Sequence, residues 1–290
     1  MIPRMRPRRY LRLTLPALVA IPALTWVLVV RNSDDALALN PEGTSATTVA
    51  TTKNTLSGQD ISWPQCTTKT SKGLPMPTSD RKFVVVGLTN GRAFTTNPCL
   101  SAELAWLRSH HALGAAYAMA NYPTASHLKS YGSSGPWKGT TLDAKLRNVG
   151  WAEAEAAVNL LRARGFASPT VWIDVEGSKP QPWSTSTQNN AYVLSGFING
   201  LRNRGHKVGI YSTVTAWKKI VGTGHFSVPE WRTVGMNKTE KDLLTACTAS
   251  RSIQGGTPAI IQRGSATVDH NRTCPATTTP KMIAQFFHQY

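Results

Sequence analysis

Phe83-Val84-Val85-Val86-Gly87-Leu88 is the stretch that most limits what this chain can become. An apolar run without alternation must be buried on both faces, which a strand achieves in a sheet flanked by helices. The chain supplies the partners. Strand-like runs at 58–62, 114–119, 170–176, 207–212, 228–234 and 259–263 alternate with amphipathic stretches. Asn97 and Pro98 can open a helix reaching His110. Thr141 can cap a longer one that Gly165 stops, and a third over 187–204 is halted by Gly205. Shorter helices are expected at 214–221 around Trp217 and at 238–248, and a Ser/Gly-rich loop at 130–139. Strand and helix repeating without hairpin turns predict a parallel α/β arrangement. Periodicity alone does not separate an open sheet from a β/α barrel of the TIM type. Polar groups favour the barrel: Asp60, Asn90, Asn121, Asp174 with Glu176, and Asp269 all fall at or just past strand ends, the ring from which barrel enzymes assemble their sites.

Three segments organise the 290 residues. In residues 1–38, five arginines (Arg4, Arg6, Arg8, Arg9 and Arg12) precede an apolar stretch from Leu13 to Val30, and Ala36-Leu37-Ala38 offers a cleavage site. This is the plan of a signal peptide, and the length of the apolar run also suits an N-terminal membrane anchor. A twin-arginine signal is only half matched, because Arg12 stands where an apolar residue belongs. Residues 39–56 are Thr-rich without hydrophobic period and read as a disordered linker. Residues 57–290 form the barrel domain. Either fate of the leader places that domain outside the cytoplasm, secreted or in the cell envelope.

The net charge is +17, and residues 39–290 keep +13 of it, with 26 Lys and Arg against 13 Asp and Glu. Such a surface attracts polyanions. Export removes cytoplasmic nucleic acid from consideration and leaves anionic cell-wall polymers as partners, with membrane contact only through an anchor. Most of the basic residues, among them Arg162, Arg164, Arg202, Arg204, Lys218 and Lys219, read as solvated helix faces. Cys66, Cys99, Cys247 and Cys274 suit an oxidising compartment, and no C-x-x-C spacing suggests zinc. Of three possible pairings, Cys66–Cys99 and Cys247–Cys274 are favoured because each clips a local excursion of the chain.

Asp174 and Glu176 stand two residues apart on one strand, so their side chains point the same way. Burying two like charges on one face is costly, and a chain that does so has chemistry to perform or a cation to hold. Asp60 and Asp269 are expected beside them if first and last strands meet. A glycosidase accounts for the cluster: one carboxylic acid of raised pKa protonates the leaving oxygen, and Glu176, flanked by like charges, suits that role. A divalent cation held by oxygen ligands is the competing account. It is disfavoured because no histidine falls at a predicted strand end except His270, which reads as a solvated loop residue. No metal or cofactor is called for. Trp63, Tyr117, Tyr122, Trp172, Tyr211 and Trp217 lie near strand ends, where flat rings suit sugar faces.

Four motifs in order resemble glycoside hydrolase family 25, the Chalaropsis-type lysozymes, and particularly a secreted actinobacterial branch. They are Gly58-Gln59-Asp60-Ile61-Ser62 on the first strand, Asp174-Val175-Glu176, Ile210-Tyr211-Ser212-Thr213 before Trp217, and Gln262 with Val268-Asp269-His270-Asn271. The resemblance covers roughly residues 58–289. It implies an irregular barrel and cleavage of the β-1,4 bond between N-acetylmuramic acid and N-acetylglucosamine in peptidoglycan. It also implies Glu176 as general acid and Asp174 steadying the developing charge or the substrate's 2-acetamido group. Asp60 and Asp269 would hold the electrostatics. Trp63, Asn90, Asn121, Tyr122, Tyr211 and Gln262 are the expected substrate-binding residues of a monomeric enzyme. The chain departs from the family's W-x-A-x-Y strand at 230–234 and across 66–81. A non-catalytic wall-binding or envelope-maintenance protein on the same barrel, and a metal-dependent phosphodiesterase, are the alternatives.

Overall fold

In the computed structural model the described residues are 55–65, 71–177 and 181–290. The leader, nearly all of the linker and Cys66 lie outside them. Eight strands close a barrel in the order β1 (Ser57–Ile61), β2 (Phe83–Gly87), β3 (Leu113–Met119), β4 (Thr170–Asp174), β5 (Lys207–Ser212), β6 (Glu230–Met236), β7 (Pro258–Gly264) and β8 (Asp269–Thr273), with β8 returning to β1. Helices α1 (Leu100–Ser109), α3 (Leu142–Arg164), α4 (Thr187–Asn203), α5 (Val214–Ile220) and α6 (Glu240–Thr245) connect the strands.

Side-chain alternation sorts the strand residues into two cores. Val84, Val86, Val171, Ile173, Val208 and Ile210 point outward and pack beneath the helices with Leu104, Val158 and Phe197. Phe83, Val85, Ala115, Trp172, Trp231 and Ile260 point inward and fill the barrel. Two glycines make this filling possible. A Cβ at Gly58 would stand 2.5 Å from the Phe83 ring, and one at Gly209 would stand 2.2 Å from Trp172. Gly209→Ala is therefore expected to destabilise the fold by about 1–3 kcal/mol through overpacking. A urea unfolding curve with an unchanged midpoint would contradict this close packing.

The parallel expectation needs one correction. Strands β1 to β7 are parallel neighbours, but β8 runs antiparallel to both β7 and β1. A hairpin makes the reversal: Ser265 N–H donates to Val268 O at 2.9 Å, and Ser265 Oγ donates to the same oxygen at 2.8 Å. The sequence Asp269-His270-Asn271-Arg272-Thr273 carries no apolar residue, because its inward positions are polar site residues. Hydrophobic patterning therefore misses it.

Other differences are local. Asn97 caps from further out than expected: α1 begins at Leu100, and Asn97 Oδ1 accepts the Cys99 N–H at 2.9 Å. Short α2 (Ala125–Tyr131) occupies part of what reads as loop. Beyond β8, Thr279 accepts from Met282 N and opens α7 (Pro280–Phe286), which closes the barrel floor. Phe286 stacks on Trp172 at 5.6 Å and Phe287 lies 4.9 Å from Phe83. The two-residue β9 (His288–Gln289) then pairs with the start of β3. Gly165 ends α3 in a left-handed conformation as expected (φ 58°).

Cys247 and Cys274 are joined, the pairing expected of them. Cys99 is also disulfide-bonded, and the expectation that Cys66 is its partner falls on a residue outside those described. Among the described residues no helix is long and apolar enough to cross a membrane.

Candidate active site

The C-terminal ends of the parallel strands form one mouth of the barrel. Asp60 sits one residue before the end of β1, and Asp174 is the last residue of β4. Glu176 follows two residues later, and β-type alternation turns it inward as well. Asp269 reaches the same mouth because β8 runs the other way and starts there, directly opposite Asp60 in the register. The four expected carboxylates are thus brought together. Charge on Asp269 and Glu176 acts on Asp60, charge on Glu176 and Asp60 acts on Asp174, and charge on Asp269 acts on Glu176.

The electrostatics follow from burial. Loss of water first, and then the neighbouring Asp269, push the Asp60 carboxyl up to about 8. Burial, with Glu176 and Asp60 nearby, raises Asp174 well above the ordinary range, and its Oδ1 has no partner among the described residues. Burial and then Asp269 raise Glu176, and burial raises Asp269. Such groups resist ionisation, and the site holds protons at pH values where exposed carboxyls have lost them.

A hydrogen-bonded chain orients Asp60. Its Oδ1 accepts from Gln262 Nε2 at 2.9 Å and from Asn271 Nδ2 at 2.6 Å. Tyr211 OH donates to Gln262 Oε1 at 2.8 Å, and Trp231 Nε1 donates to Asn271 Oδ1 at 2.8 Å. Both amides are thereby fixed at both ends. Rings complete the wall beneath: Tyr211 lies 4.6 Å from Trp231, and Tyr117 lies 5.9 Å from it. Asn271 and Trp231 are the participants that sequence reasoning did not name as site residues. Asn271 stands two residues from Asp269, and that i, i+2 spacing was the available signal.

The expected substrate contacts divide. Tyr211 and Gln262 face the site but are already committed to each other and to Asp60. Trp63, in a short 3-10 turn after β1, is half-buried with Lys72 Nζ 5.6 Å from its ring centre. Asn90 is exposed and Tyr122 half-buried on the loops after β2 and β3. Asn121 needs correction: it is fully buried, and its Oδ1 accepts the Ala93 N–H at 2.7 Å. It ties two mouth loops together instead of meeting solvent. Trp172 and Trp217 are likewise buried, the latter donating to Gly224 O. His270 points away from Asp269 on β8, half-buried, and is not in the cluster. A cleft of about 500 Å³, lined by Thr213, Val214, Thr233, Lys238 and Arg251 among others, lies where β5 and β6 lead into α5 and α6; none of the four clustered carboxylates lines it.

The raised pKa of Asp60 has a thermodynamic consequence with a definite sign. The folded state keeps a proton that the unfolded chain releases near pH 4. Stability therefore falls as pH rises from that value towards about 8. Asp60→Asn keeps an oxygen for Gln262 and Asn271 while removing the ionisation. The variant's gain in melting temperature over the parent should be larger at pH 8 than at pH 5. Equal gains at both pH values would mean that Asp60 ionises like an exposed aspartate.

Parts of this chain are similar to known proteins. Residues 143–233, which include Asp174 and Glu176, match the family model described as lysozyme-like protein 1. A probable GH family 25 lysozyme 2 from Dictyostelium discoideum is 34% identical over 84 residues, covering 28% of this chain and 38% of that protein. Over this segment the chain is similar to GH25 lysozymes. A second Dictyostelium relative, probable GH family 25 lysozyme 4, is 32% identical over 81 residues, or 27% of this chain and 37% of that one. The matched segments thus span well under half the length of these curated relatives. The bacterial lysozyme of Streptomyces coelicolor superposes with a TM-score of 0.53 over 80% of this chain and 96% of its own, at 16% identity. That likeness concerns the fold.

Proposed function

We propose that this protein is an exported peptidoglycan hydrolase, a muramidase that cleaves the β-1,4 bond between N-acetylmuramic acid and N-acetylglucosamine. The observation that carries the reading is the convergence of Asp60, Asp174, Glu176 and Asp269 at one mouth of a GH25-like barrel, with raised carboxyl pKa values. Glu176 is the general acid. Burial and Asp269 keep its proton available at pH values where a free glutamate has lost it, and it passes that proton to the glycosidic oxygen as the bond breaks. Asp174 faces the sugar that acquires positive character. Its carboxyl accepts the N–H of a 2-acetamido group or stabilises the oxocarbenium-like centre. Asp60, held by Gln262 and Asn271, supplies fixed negative potential or a shared proton according to pH. Asp269 sets the proton affinity of Glu176. Trp63, Asn90 and Tyr122 are the residues at the rim offered to the glycan.

The basic body, leader and disulfides support action outside the cytoplasm, secreted or held at the envelope. Incubation of the full chain with purified peptidoglycan and assay of new reducing ends tests the reading. Release of reducing sugar that survives a chelator is the expected result. No release from several wall preparations by a folded sample would turn the assignment towards a wall-binding protein, and chelator-sensitive release towards a metal-dependent hydrolase.

A further inference from the structure

The opposite end of the barrel carries a feature that catalysis does not use. α1, α3 and α4 deliver their C-terminal turns to β3, β4 and β5, which are adjacent in the sheet. Arg108 ends α1, Arg162 and Arg164 end α3, Arg202 ends α4 and Lys207 opens β5; all five are exposed. They are neighbours in space as well as topology. Arg108 reaches the carbonyl of Arg164 at 3.4 Å, and the charge of Arg162 bears on His206. Arg202, His206 and Lys207 share a cleft of about 370 Å³. Arg204 is paired with Glu155 at 3.3 Å, whereas none of the five makes an ion pair among the described residues.

A cation in a helix's last turn is favourable by itself, because it meets the negative end of the helix dipole. That explains each position but not the alignment of three such turns on one arc. We propose that this arc is a docking surface for an extended phosphodiester polymer of the cell envelope, holding the wall on the side opposite the catalytic mouth. Four of the five cations are arginines, whose planar fork matches phosphate oxygens in pairs. A bilayer surface fits less well, because peripheral membrane faces add apolar anchors to their basic residues. The exposed large hydrophobic residues, Leu142, Val214 and Met236, begin α3, begin α5 and end β6, all at the mouth end. The inference rests on the exported, wall-acting reading for its choice of polymer, and its test does not depend on activity.

Binding of the full chain to soluble poly(glycerol phosphate) is measured against salt for three proteins: the parent, R108Q/R162Q/R164Q/R202Q, and the charge-matched mouth-side variant K129Q/K138Q/K238Q/K241Q. Leader arginines are present in all three and cancel. The arginine variant should bind about tenfold or more weakly at low salt, with a log–log salt slope shallower by roughly three. The mouth-side variant should change little. Equal weakening by both variants would overturn the proposal. So would an arginine-dependent loss seen on anionic phospholipid vesicles or duplex DNA but not on the polymer. Reducing-sugar release from soluble wall fragments should be alike in all three. If none releases sugar, the catalytic reading fails while the binding comparison still decides this one.

Discussion

Glu176→Gln is expected to lower reducing-sugar release from peptidoglycan by about 10²–10⁴-fold, the loss typical when a positioned general acid is removed. The amide has nearly the same shape but cannot donate a proton to a leaving oxygen. Among the described residues the one hydrogen bond at Glu176 runs from Trp183 Nε1 to its backbone carbonyl, at 2.8 Å. The substitution therefore spares the fold. It also removes one member of a crowded set of carboxyls, so the melting temperature should hold or rise at neutral pH. Asp80→Asn, at an exposed site whose carboxyl is lowered first by its bond from Thr78, is the control and should keep parental activity. A Glu176→Gln protein that retains more than a tenth of the activity would place the proton donor elsewhere. Because burial and Asp269 raise the carboxyl, activity of the parent should extend above the pH at which free glutamate ionises.

The largest effect on stability is expected at Glu230, a residue remote from the chemistry. It is fully buried, and Arg232 Nε donates to its Oε2 at 2.6 Å. Backbone N–H groups of Ile253, Gln254 and Gly256 donate to the same carboxylate at 3.0, 2.8 and 2.9 Å, and Ser252 Oγ adds a bond at 3.0 Å. Arg232 in turn donates to the carbonyls of Ala246 and Thr248 at 2.8 and 2.6 Å. One ion pair thus fastens β6 to the whole segment between α6 and β7.

Removing one partner leaves a buried charge unmatched, so Glu230→Ala should cost about 3–5 kcal/mol in a urea titration. A loss below about 1 kcal/mol would show that the segment closes without the pair. The pH sign is opposite to that of Asp60. Burial works to raise the Glu230 carboxyl, but the three backbone donors and Arg232 outweigh it and lower the pKa. Its stabilisation is therefore present above the ordinary glutamate value and lost as pH falls through the lower folded value. The variant should show a flatter acid limb than the parent.

Glu230 and Arg232 also show where sequence reading stops. The segment 230–234 matches the family's W-x-A-x-Y pattern poorly. In the fold Trp231 does face the barrel interior, while its charged neighbours face outward into a buried network. No periodicity distinguishes such a pair from a solvated one, because its partners are backbone groups some 14 to 26 residues away. Asn121 fails for a similar reason. Its place after a strand suggests substrate, yet its partner, Ala93 N, lies in another loop. The polar β8 strand was hidden because polar patterning is what site-lining residues produce.

What the sequence by itself determined is the local order: apolar runs buried on both faces, helices with their stops, and a carboxylate pair whose spacing of two turns both groups to one side. Those follow from the pleat and the helical period, which act over a few residues. Closure did not follow from them. Only the tertiary structure decided that β8 turns back against β1, sets Asp269 opposite Asp60 and completes the four-carboxylate mouth. Pairing between residues about two hundred positions apart is set by packing of the whole barrel, and with it the loss of water that gives these carboxyls their raised proton affinity.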